Sequence, residues 1–294
     1  MRRILAQRRR RPQTMKIAYC GYDFFSECLR TLLSRGDDVY RVFTFKCDNS
    51  FDYNQYITKI CRQYSLPLSD RPIDQKILEQ LQREGCELLI TAGYRYKIPD
   101  LSATGIKGIN LHPTLLPVGR GPWPLPWTIL SGQKHSGVTI HKLSAEFDAG
   151  DILMQNDFAL EANENLESLS AKSQILAKAM LTNLVENFAD FWQAARPQEG
   201  DHSDWPRPSV ADRTLDWSAG VTQLDRHCRA FGKMGCFGKF DGQNWIIYRL
   251  VAWPARHDFE AGAVVHKTNT ETIVAAADGL VSLQYFEPAP WIKD

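Results

Sequence analysis

Asn110 and His112 are the residues whose types and spacing best suit chemistry, and they alternate with Ile109 and Leu111. Side chains two positions apart in a strand lie on the same face, so the amide and the imidazole should project together while the apolar residues face a core. Pro113 disfavours a helical conformation at His112, which predicts that the strand ends there. An amide beside an imidazole suggests an oxyanion donor next to a general acid or base.

Asp148 supplies a carboxylate downstream of this strand, within the sequence Asp-Ala-Gly-Asp. Its position in a loop would allow it to orient His112 or to tune the pKa of the imidazole. The alternative interpretation is structural, since Asn110 and His112 can equally be hydrogen-bonded residues at the end of a strand. His141, on a later strand, is interpreted as a packing or surface histidine.

The spacing of apolar residues before this site predicts strands that alternate with helices. The predicted strands are residues 16–20, 39–45, 87–92 and 107–111, and the predicted helices are residues 25–34, 54–64 and 73–83. This alternation predicts a Rossmann-like parallel sheet with helices on both faces, in which ligands bind beyond the carboxyl ends of the strands. The sequence lacks the Gly-x-Gly-x-x-Gly fingerprint of dinucleotide sites, so an NAD site is not predicted.

A polar, proline-rich stretch divides the second half of the chain at residues 196–208. Before it, the patterns predict a short helix at 127–131, strands at 136–143 and 152–158, and a long amphipathic helix at 166–192. After it, short strands are predicted at 245–253, 262–267, 272–276 and 280–286, which favours a small C-terminal, OB-like β-barrel. The predicted organisation is a disordered basic tail (1–15), a catalytic domain (16–195), a linker (196–208) and a β-rich domain (209–294).

The net charge of +1 is unevenly distributed along the chain. Residues 1–14 contain six arginines and no acidic residue, so the remainder carries a net charge of −5. Residues 206–294 contain ten Lys or Arg and ten Asp or Glu. This balance argues against a broad nucleic-acid-binding surface. The tail is interpreted as a disordered extension, or as the result of a translation start assigned too early, with Met15 as the true start. The alternative is an arm that binds nucleic acid.

The seven cysteines are odd in number and form no Cys-x-x-Cys pair. This usage predicts buried thiols in a reducing compartment rather than disulfides or a zinc site. No apolar run reaches the ~18 residues of a membrane helix, so no membrane span is expected. Together these features predict a cytoplasmic protein without a bound metal.

Three motifs, in order, resemble the formyltransferases that use 10-formyltetrahydrofolate: INLHPTLLPVGRG from Ile109, GVTIH from Gly137 and DAGDIL from Asp148. That family includes methionyl-tRNA formyltransferases, amino-sugar nucleotide formyltransferases and glycinamide ribonucleotide transformylases. The resemblance covers residues 16–192 and continues weakly into 212–240. It implies that Asn110, His112 and Asp148 are the catalytic residues and that 10-formyltetrahydrofolate is the co-substrate.

The resemblance also implies a set of binding residues. The folate pterin would be held by backbone near Tyr94–Ile98 and Leu143–Asp148, with Leu115, Leu116 and Pro117 as apolar walls. The residues concerned are Tyr94, Arg95, Tyr96, Lys97, Ile98, Leu143 and Ser144. Alternatively, Tyr94, Arg95 and Tyr96 simply end the strand that starts at Glu87. Arg120 is interpreted either as a ligand for a phosphate or the folate tail, or as a solvated loop charge. Trp123 is interpreted either as an added aromatic surface for the acceptor or as a core residue.

Two departures from the family pattern bear on function. Three prolines, Pro122, Pro124 and Pro126, precede the helix after the catalytic strand, so that helix is expected to begin near Pro126. The proline-rich turn that is usual in the C-terminal domain is replaced by the sequence Phe-Gly-Lys-Met-Gly at residues 231–235. This second departure leaves the role of the C-terminal domain open.

Three functions are compatible with these features. The first is an N-formyltransferase acting on a small amine, because the stretch 46–55 after the second strand is short and not basic. An amino-sugar nucleotide is the specific expectation, because the resemblance implies that this branch of the family keeps a C-terminal domain. The second is a methionyl-tRNA formyltransferase, suggested by the basic tail and the two-domain plan. The third is a non-catalytic folate-binding protein, with a formyltetrahydrofolate hydrolase as its enzymatic counterpart. A homodimer is compatible with the sequence.

Overall fold

A computed structural model describes residues 15–49, 52–269 and 271–292, so the predicted basic tail lies outside the described residues except for Met15. The first sheet has seven strands in the order β3-β2-β1-β4-β5-β6-β7. They are β1 (Lys16–Gly21), β2 (Asp38–Phe43), β3 (Leu68–Ser69), β4 (Leu88–Ala92), β5 (Lys107–His112), β6 (His135–Lys142) and β7 (Ile152–Ala159). The neighbours from β3 to β5 pair in parallel, whereas β6 and β7 pair antiparallel.

Helices cover both faces of this sheet. They are α1 (Ser26–Arg35), α2 (Gln55–Gln63), α3 (Gln75–Arg83), α4 (Pro124–Leu130), α5 (Leu166–Glu186) and α6 (Phe188–Gln193). On one face, Ile90 and Ile109 belong to the same buried cluster as Leu181 of α5. On the other face, Leu89 packs in a second cluster with Leu78 of α3. Because successive strand residues face opposite sides, both faces of a central strand must be apolar, as in β4.

Two helices differ from the sequence-based predictions. The long helix predicted over 166–192 is interrupted at Asn187, whose side-chain amide donates to the carbonyl and side-chain oxygens of Asn183. Asparagine competes in this way with the backbone hydrogen bonds of a helix. Helix α4 begins at Pro124, two residues earlier than predicted. Both Pro124 and Pro126 then lie in its first turn, where no intrahelical N–H is needed.

The C-terminal region forms an antiparallel sheet of five strands in the order β10-β11-β12-β9-β8. Its elements are α7 (Val221–Phe231), β8 (Cys236–Phe240), β9 (Gln243–Pro254), β10 (Val264–Lys267), β11 (Thr272–Ala275) and β12 (Gly279–Pro288). Phe231 and Leu224 of α7 share a hydrophobic cluster with Leu125 and Ile129 of α4. The predicted combination of an α/β sheet and a β-rich C-terminal region is confirmed, and the two regions pack through a common apolar core.

All seven cysteine side chains are buried, as the sequence predicted. Within the described ranges, no helix combines the length and the apolar character needed to cross a bilayer.

Candidate active site

A cleft of about 1730 Å³ opens at the carboxyl ends of β1, β4 and β5. Tyr22 follows β1, Gly93 follows β4, and Asn110 and His112 end β5, and all four line the cleft. Ligands of open α/β sheets bind at this edge, because the loops there diverge and leave a crevice. The cleft also reaches the C-terminal region, which contributes Met234.

The side-chain amide of Asn110 is held in one orientation by three neighbours. Its Oδ1 accepts a hydrogen bond from Thr91 Oγ1 at 2.7 Å. Its Nδ2 lies 3.1 Å from Asp148 Oδ1 and 3.1 Å from His141 Nε2. The hydroxyl donor on one side and the two acceptors on the other fix which end of the amide carries the hydrogens. The N–H groups therefore point towards Asp148 and His141.

The imidazole of His112 is buried and bound at one nitrogen. Its Nε2 lies 2.8 Å from the carbonyl oxygen of Gly119, which only accepts, so Nε2 carries a proton. In the neutral ring, Nδ1 is then the unprotonated nitrogen, and it lies 3.4 Å from Asp148 Oδ1. Burial lowers the pKa of His112 below its usual value, while Asp148 and the Gly119 carbonyl act to raise it. His112 is therefore placed to take up a proton at Nδ1, beside a carboxylate that stabilises the resulting cation.

Asp148 is the residue on which the site converges. Its backbone adopts a left-handed conformation with φ of 54°, and its side chain is 10% exposed. Oδ2 accepts a hydrogen bond of 2.9 Å from the backbone N–H of Gly121. Burial would raise the pKa of this carboxyl, but His112, His141 and the Gly121 N–H outweigh burial and hold it well below its usual range. Asp148 is thus an anion at neutral pH.

His141, interpreted from the sequence as a packing or surface histidine, is a buried member of this cluster. It is 1% exposed, and β6 places it directly opposite Asn110 in the antiparallel pairing with β5. Its Nδ1 lies 2.8 Å from the carbonyl oxygen of Lys142, so Nδ1 is the protonated nitrogen and Nε2 accepts from Asn110. Periodicity alone did not identify His141, because the pairing register of the two strands is a tertiary feature. The Gly-Val-Thr-Ile-His motif was the available signal.

Gly150 allows the Asp148 loop to lie against β6. A Cβ atom at this position would overlap the carbonyl oxygen of Lys142 and come within 3.5 Å of the His141 ring. Any larger residue would therefore push the loop, and Asp148 with it, away from His112. The glycine of the Asp-Ala-Gly-Asp motif is explained by this close approach.

The residues predicted to hold the pterin lie along one end of the cleft. Lining residues at this end include Tyr94, Arg95, Tyr96, Lys97, Ile98, Leu143 and Ser144. Leu101, Ile106 and Trp192 also line it and add apolar surface. Gly108 allows the side chains of Leu101 and Leu143 to lie against the backbone of β5. A Cβ atom at this position would overlap Leu101 and lie 2.8 Å from Leu143. Apolar side chains on this lining offer contact surface for a planar heterocycle.

None of Leu115, Leu116 and Pro117, the predicted apolar wall, lines this cleft. The N–H of Leu116 donates to Thr139 Oγ1, and its carbonyl accepts from Gln155. These bonds turn the segment after His112 towards β6 and β7 and away from the cleft.

Arg120 also lies outside the lining of the cleft. Its guanidinium donates to Gln198 Oε1 from Nε at 3.2 Å and from the terminal nitrogen at 2.7 Å. The structure thus places Arg120, predicted as a ligand for substrate or a solvated loop charge, against Gln198. The sequence could not show it, since Gln198 is 78 residues away.

The lining of the cleft also combines cations with aromatic rings. Three pairs are found there: Arg95 over Phe45 at 4.8 Å, Arg207 over Trp123 at 4.9 Å, and Lys233 over Tyr53 at 4.7 Å. All six of these residues line the cleft. Burial raises the pKa of Asp52 there, and the three cations oppose that rise. Because Lys233 belongs to the C-terminal region, that region forms part of the wall of the cleft.

Within the part of the chain that the structure describes, no group of three His, Cys, Asp or Glu side chains is arranged to hold a metal ion.

Comparison with known families identifies both parts of the chain. A family model described as formyl transferase matches residues 41–185, and one described as formyl transferase, C-terminal domain, matches residues 208–289. The methionyl-tRNA formyltransferase of Streptococcus equi subsp. equi is 26% identical over 238 residues. That match spans 79% of this chain and 76% of the relative.

Solved structures share the fold at lower identity. HypX from Aquifex aeolicus in complex with tetrahydrofolic acid matches with a TM-score of 0.67 and 20% identity, over 93% of this chain and 44% of HypX. The N-formyltransferase from Helicobacter canadensis, in complex with folinic acid and dTDP-3-aminofucose, matches with a TM-score of 0.67 and 13% identity. This second match covers 92% of this chain and 99% of that protein.

Proposed function

Because the chain belongs to the formyl transferase family, we propose that it moves the formyl group of 10-formyltetrahydrofolate to the primary amine of a small molecule, specifically an amino-sugar nucleotide. The observation that carries the proposal is the convergence of Asn110, His112 and His141 on one oxygen of Asp148. This cluster lies in the wall of a cleft of about 1730 Å³.

His112 is the proton carrier in the proposed reaction. The acceptor nitrogen bonds to the formyl carbon, the bond from that carbon to folate N10 breaks, and one proton moves from the acceptor nitrogen to N10. The unprotonated Nδ1 of His112 can receive this proton and return it, directly or through a water molecule. The imidazolium formed in between is stabilised by the anionic Asp148 at 3.4 Å and by the Gly119 carbonyl at 2.8 Å.

Asn110 is the proposed donor to the oxyanion of the tetrahedral intermediate. Loss of one such donor costs about 3 kcal/mol at comparable sites. Both N–H groups of Asn110 are directed at Asp148 and His141, so donation to the intermediate exchanges one of these bonds. Thr91 keeps the amide turned with its hydrogens towards the site throughout.

The folate end of the cleft fits a reduced pterin. The loop from Tyr94 to Ile98 runs beside it outside any helix or strand, which leaves backbone groups along the cleft. Ile106 and Leu143 provide apolar faces for the ring. Tetrahydrofolic acid and folinic acid are named as ligands of the similar structures, which supports a folate at this end.

The acceptor end supports a small, nucleotide-linked amine. Trp123 and Tyr53 offer rings on which a base can stack, and Arg207 and Lys233 offer positive charge near those rings. The C-terminal region as a whole is neutral, with ten basic and ten acidic residues between 206 and 294. A tRNA would need an extended positive surface. The dTDP-3-aminofucose complex of a protein with the same fold is consistent with this choice.

A methionyl-tRNA formyltransferase is the second candidate. One specific observation favours it: the named sequence relatives that span most of this chain, such as that of Streptococcus equi, are methionyl-tRNA formyltransferases. The same catalytic cluster serves either acceptor, because the amine is chemically equivalent in both. The two candidates differ in the surface that surrounds the cleft.

A panel of acceptors tests the proposal. The purified full chain is incubated with 10-formyltetrahydrofolate and, separately, with amino-sugar nucleotides, amino acids and methionyl-tRNA, and products are identified by mass spectrometry. Formylation of an amino-sugar nucleotide supports the proposal, whereas formylation of methionyl-tRNA alone supports the second candidate. Release of formate without a formylated product would indicate a hydrolase.

A further inference from the structure

The segment 196–207, termed here the strap segment, lies against the catalytic loops rather than bridging open space between the two sheets. At its start, Arg196 and Ile152 exchange two backbone hydrogen bonds of 2.7 and 3.0 Å. Further along, Arg120 donates to the carbonyl of Ser203 and accepts from the N–H of Trp205. The strap segment is thus paired by its backbone to both sides of the site.

Gln198 is the strap residue that binds the backbone of the loop carrying Asp148. Its Nε2 donates to the backbone carbonyl of Asp148 at 2.6 Å and to that of Gly150 at 3.0 Å. Its Oε1 accepts two hydrogen bonds from the guanidinium of Arg120. One amide side chain therefore ties the loop that carries Asp148 to the loop that carries Arg120.

These two loops determine the geometry around His112. The 119–121 loop supplies the Gly119 carbonyl to His112 and the Gly121 N–H to Asp148. Asp148 itself has a positive φ, a conformation that costs an aspartate free energy unless its surroundings fix it. Two hydrogen bonds from Gln198 to this loop provide such a restraint.

We propose that Gln198 is a positioning residue that sets the distance between Asp148 and His112. The strap segment then belongs to the active site, because it carries this residue. The inference rests on the proposed formyl transfer for its kinetic consequence, but its geometric consequence is independent of any substrate. A displacement of about 1 Å at a catalytic group can reduce a rate up to ~10²-fold. Loss of the Gln198 bonds should therefore affect turnover more than folate binding.

The variant Gln198→Met tests the proposal, since methionine keeps the length of the side chain and removes both donors. We expect kcat to fall about tenfold, with the KM for 10-formyltetrahydrofolate changed less than about twofold. In the absence of substrates, the NMR titration midpoint of the His112 ring should move to lower pH, because the Asp148 carboxylate is then less well placed. Gln193→Met is the matched control, since Gln193 is exposed at the end of α6.

Making Gln198→Met in the Asp148→Asn variant distinguishes a positioning role of Gln198 from a general contribution to stability. If Gln198 acts through the carboxylate, Gln198→Met should change kcat and the His112 midpoint much less in Asp148→Asn than in the wild type. An equal loss in both backgrounds, or a wild-type kcat and midpoint for Gln198→Met, would overturn the proposal. If Gln198→Met does not fold, Arg120→Met, which releases only the Oε1 side of Gln198, must give the same direction of change.

The same experiment distinguishes a failure of the proposed function from a failure of the positioning role of Gln198. A wild-type chain that formylates no acceptor contradicts the proposed function, while the His112 titration still decides the positioning role. An active wild type with an unaffected Gln198→Met contradicts the positioning role alone.

Discussion

The Oδ1 atom of Asp148 lies 3.4 Å from Nδ1 of His112, and the two side chains are only 10% and 5% exposed. At this separation the carboxylate opposes the effect of burial on the imidazole and favours its protonated form. The same oxygen also accepts from Asn110 at 3.1 Å. The carboxylate, rather than the histidine, is therefore the centre of the cluster.

His112→Ala should lower turnover by about 10²-fold or more, because the variant loses the group that receives the acceptor proton. Folate affinity, measured by quenching of tryptophan fluorescence, should change little, since the ring is fixed to the Gly119 carbonyl and not to the folate end. His135→Ala is the control, because the side chain of His135 is 60% exposed. A rate equal to that of the wild type would remove His112 from the mechanism.

The dependence of kcat/KM on pH should rise through the pKa of His112, which burial holds below its usual value of about 6.5. Only the neutral ring accepts a proton, so activity is complete above this pKa and falls as the pH drops through it. Asp148→Asn removes the charge that raises this pKa, so the midpoint should move to lower pH. An NMR titration of the His112 ring measures the same midpoint without an acceptor. A midpoint that stays constant or rises would contradict the assigned role of Asp148.

Thr91→Val should lower kcat about tenfold without changing the KM for folate. The hydroxyl of Thr91 donates to Asn110 Oδ1 at 2.7 Å and keeps the amide hydrogens directed at the site. Without it, the amide can rotate and present an oxygen where the oxyanion needs a donor, which costs on the order of 1–3 kcal/mol. Thr182→Val, on the exposed face of α5, is the control. Equal rates for the two variants would show that the Asn110 orientation has another cause.

Arg207→Ala should raise the KM for the acceptor about tenfold, the loss expected for one hydrogen bond to a charged group. Arg207 lines the acceptor end of the cleft with its guanidinium 4.9 Å from the Trp123 ring, and it does not contact the catalytic cluster. The KM for folate should therefore remain unchanged. Arg249→Ala, an exposed cation on β9 outside the cleft, serves for comparison. A larger change in folate KM than in acceptor KM would reverse the assignment of the two ends.

The positions of Asn110 and His112 could be predicted because they depend on local rules. Alternation places both on one side of β5, and Ile109 and Leu111 are in the core as expected. Pro113 follows the last residue of the strand, in agreement with the restriction that proline places on its neighbour. The first residue of α4 was predicted less well. Proline is tolerated at several positions of the first turn of a helix, so the prolines do not fix at which residue the helix begins.

The remaining parts of the site depend on contacts between distant segments. His141 reaches Asn110 only through the antiparallel register of β5 and β6, and Gln198 reaches Asp148 from a segment that composition identified as a linker. The segment after His112 turns away from the cleft because Leu116 is bonded to Thr139, a contact across 23 residues. Hydrophobic periodicity contains no information about such pairings. A motif resemblance supplied the family, but the three residues it implied as an apolar wall do not line the cleft.

The most direct measurement is the single-turnover rate of formyl transfer from 10-formyltetrahydrofolate to the acceptor, compared between the wild type and Asn110→Ala. Removal of an oxyanion donor should lower this rate about 10²-fold or more while folate binding is retained. We expect the wild type to yield a formylated amine and Asn110→Ala to yield it at this reduced rate. Equal rates in the two proteins, or folate consumption by the wild type without a formylated amine, would contradict the proposal that this cluster transfers a formyl group.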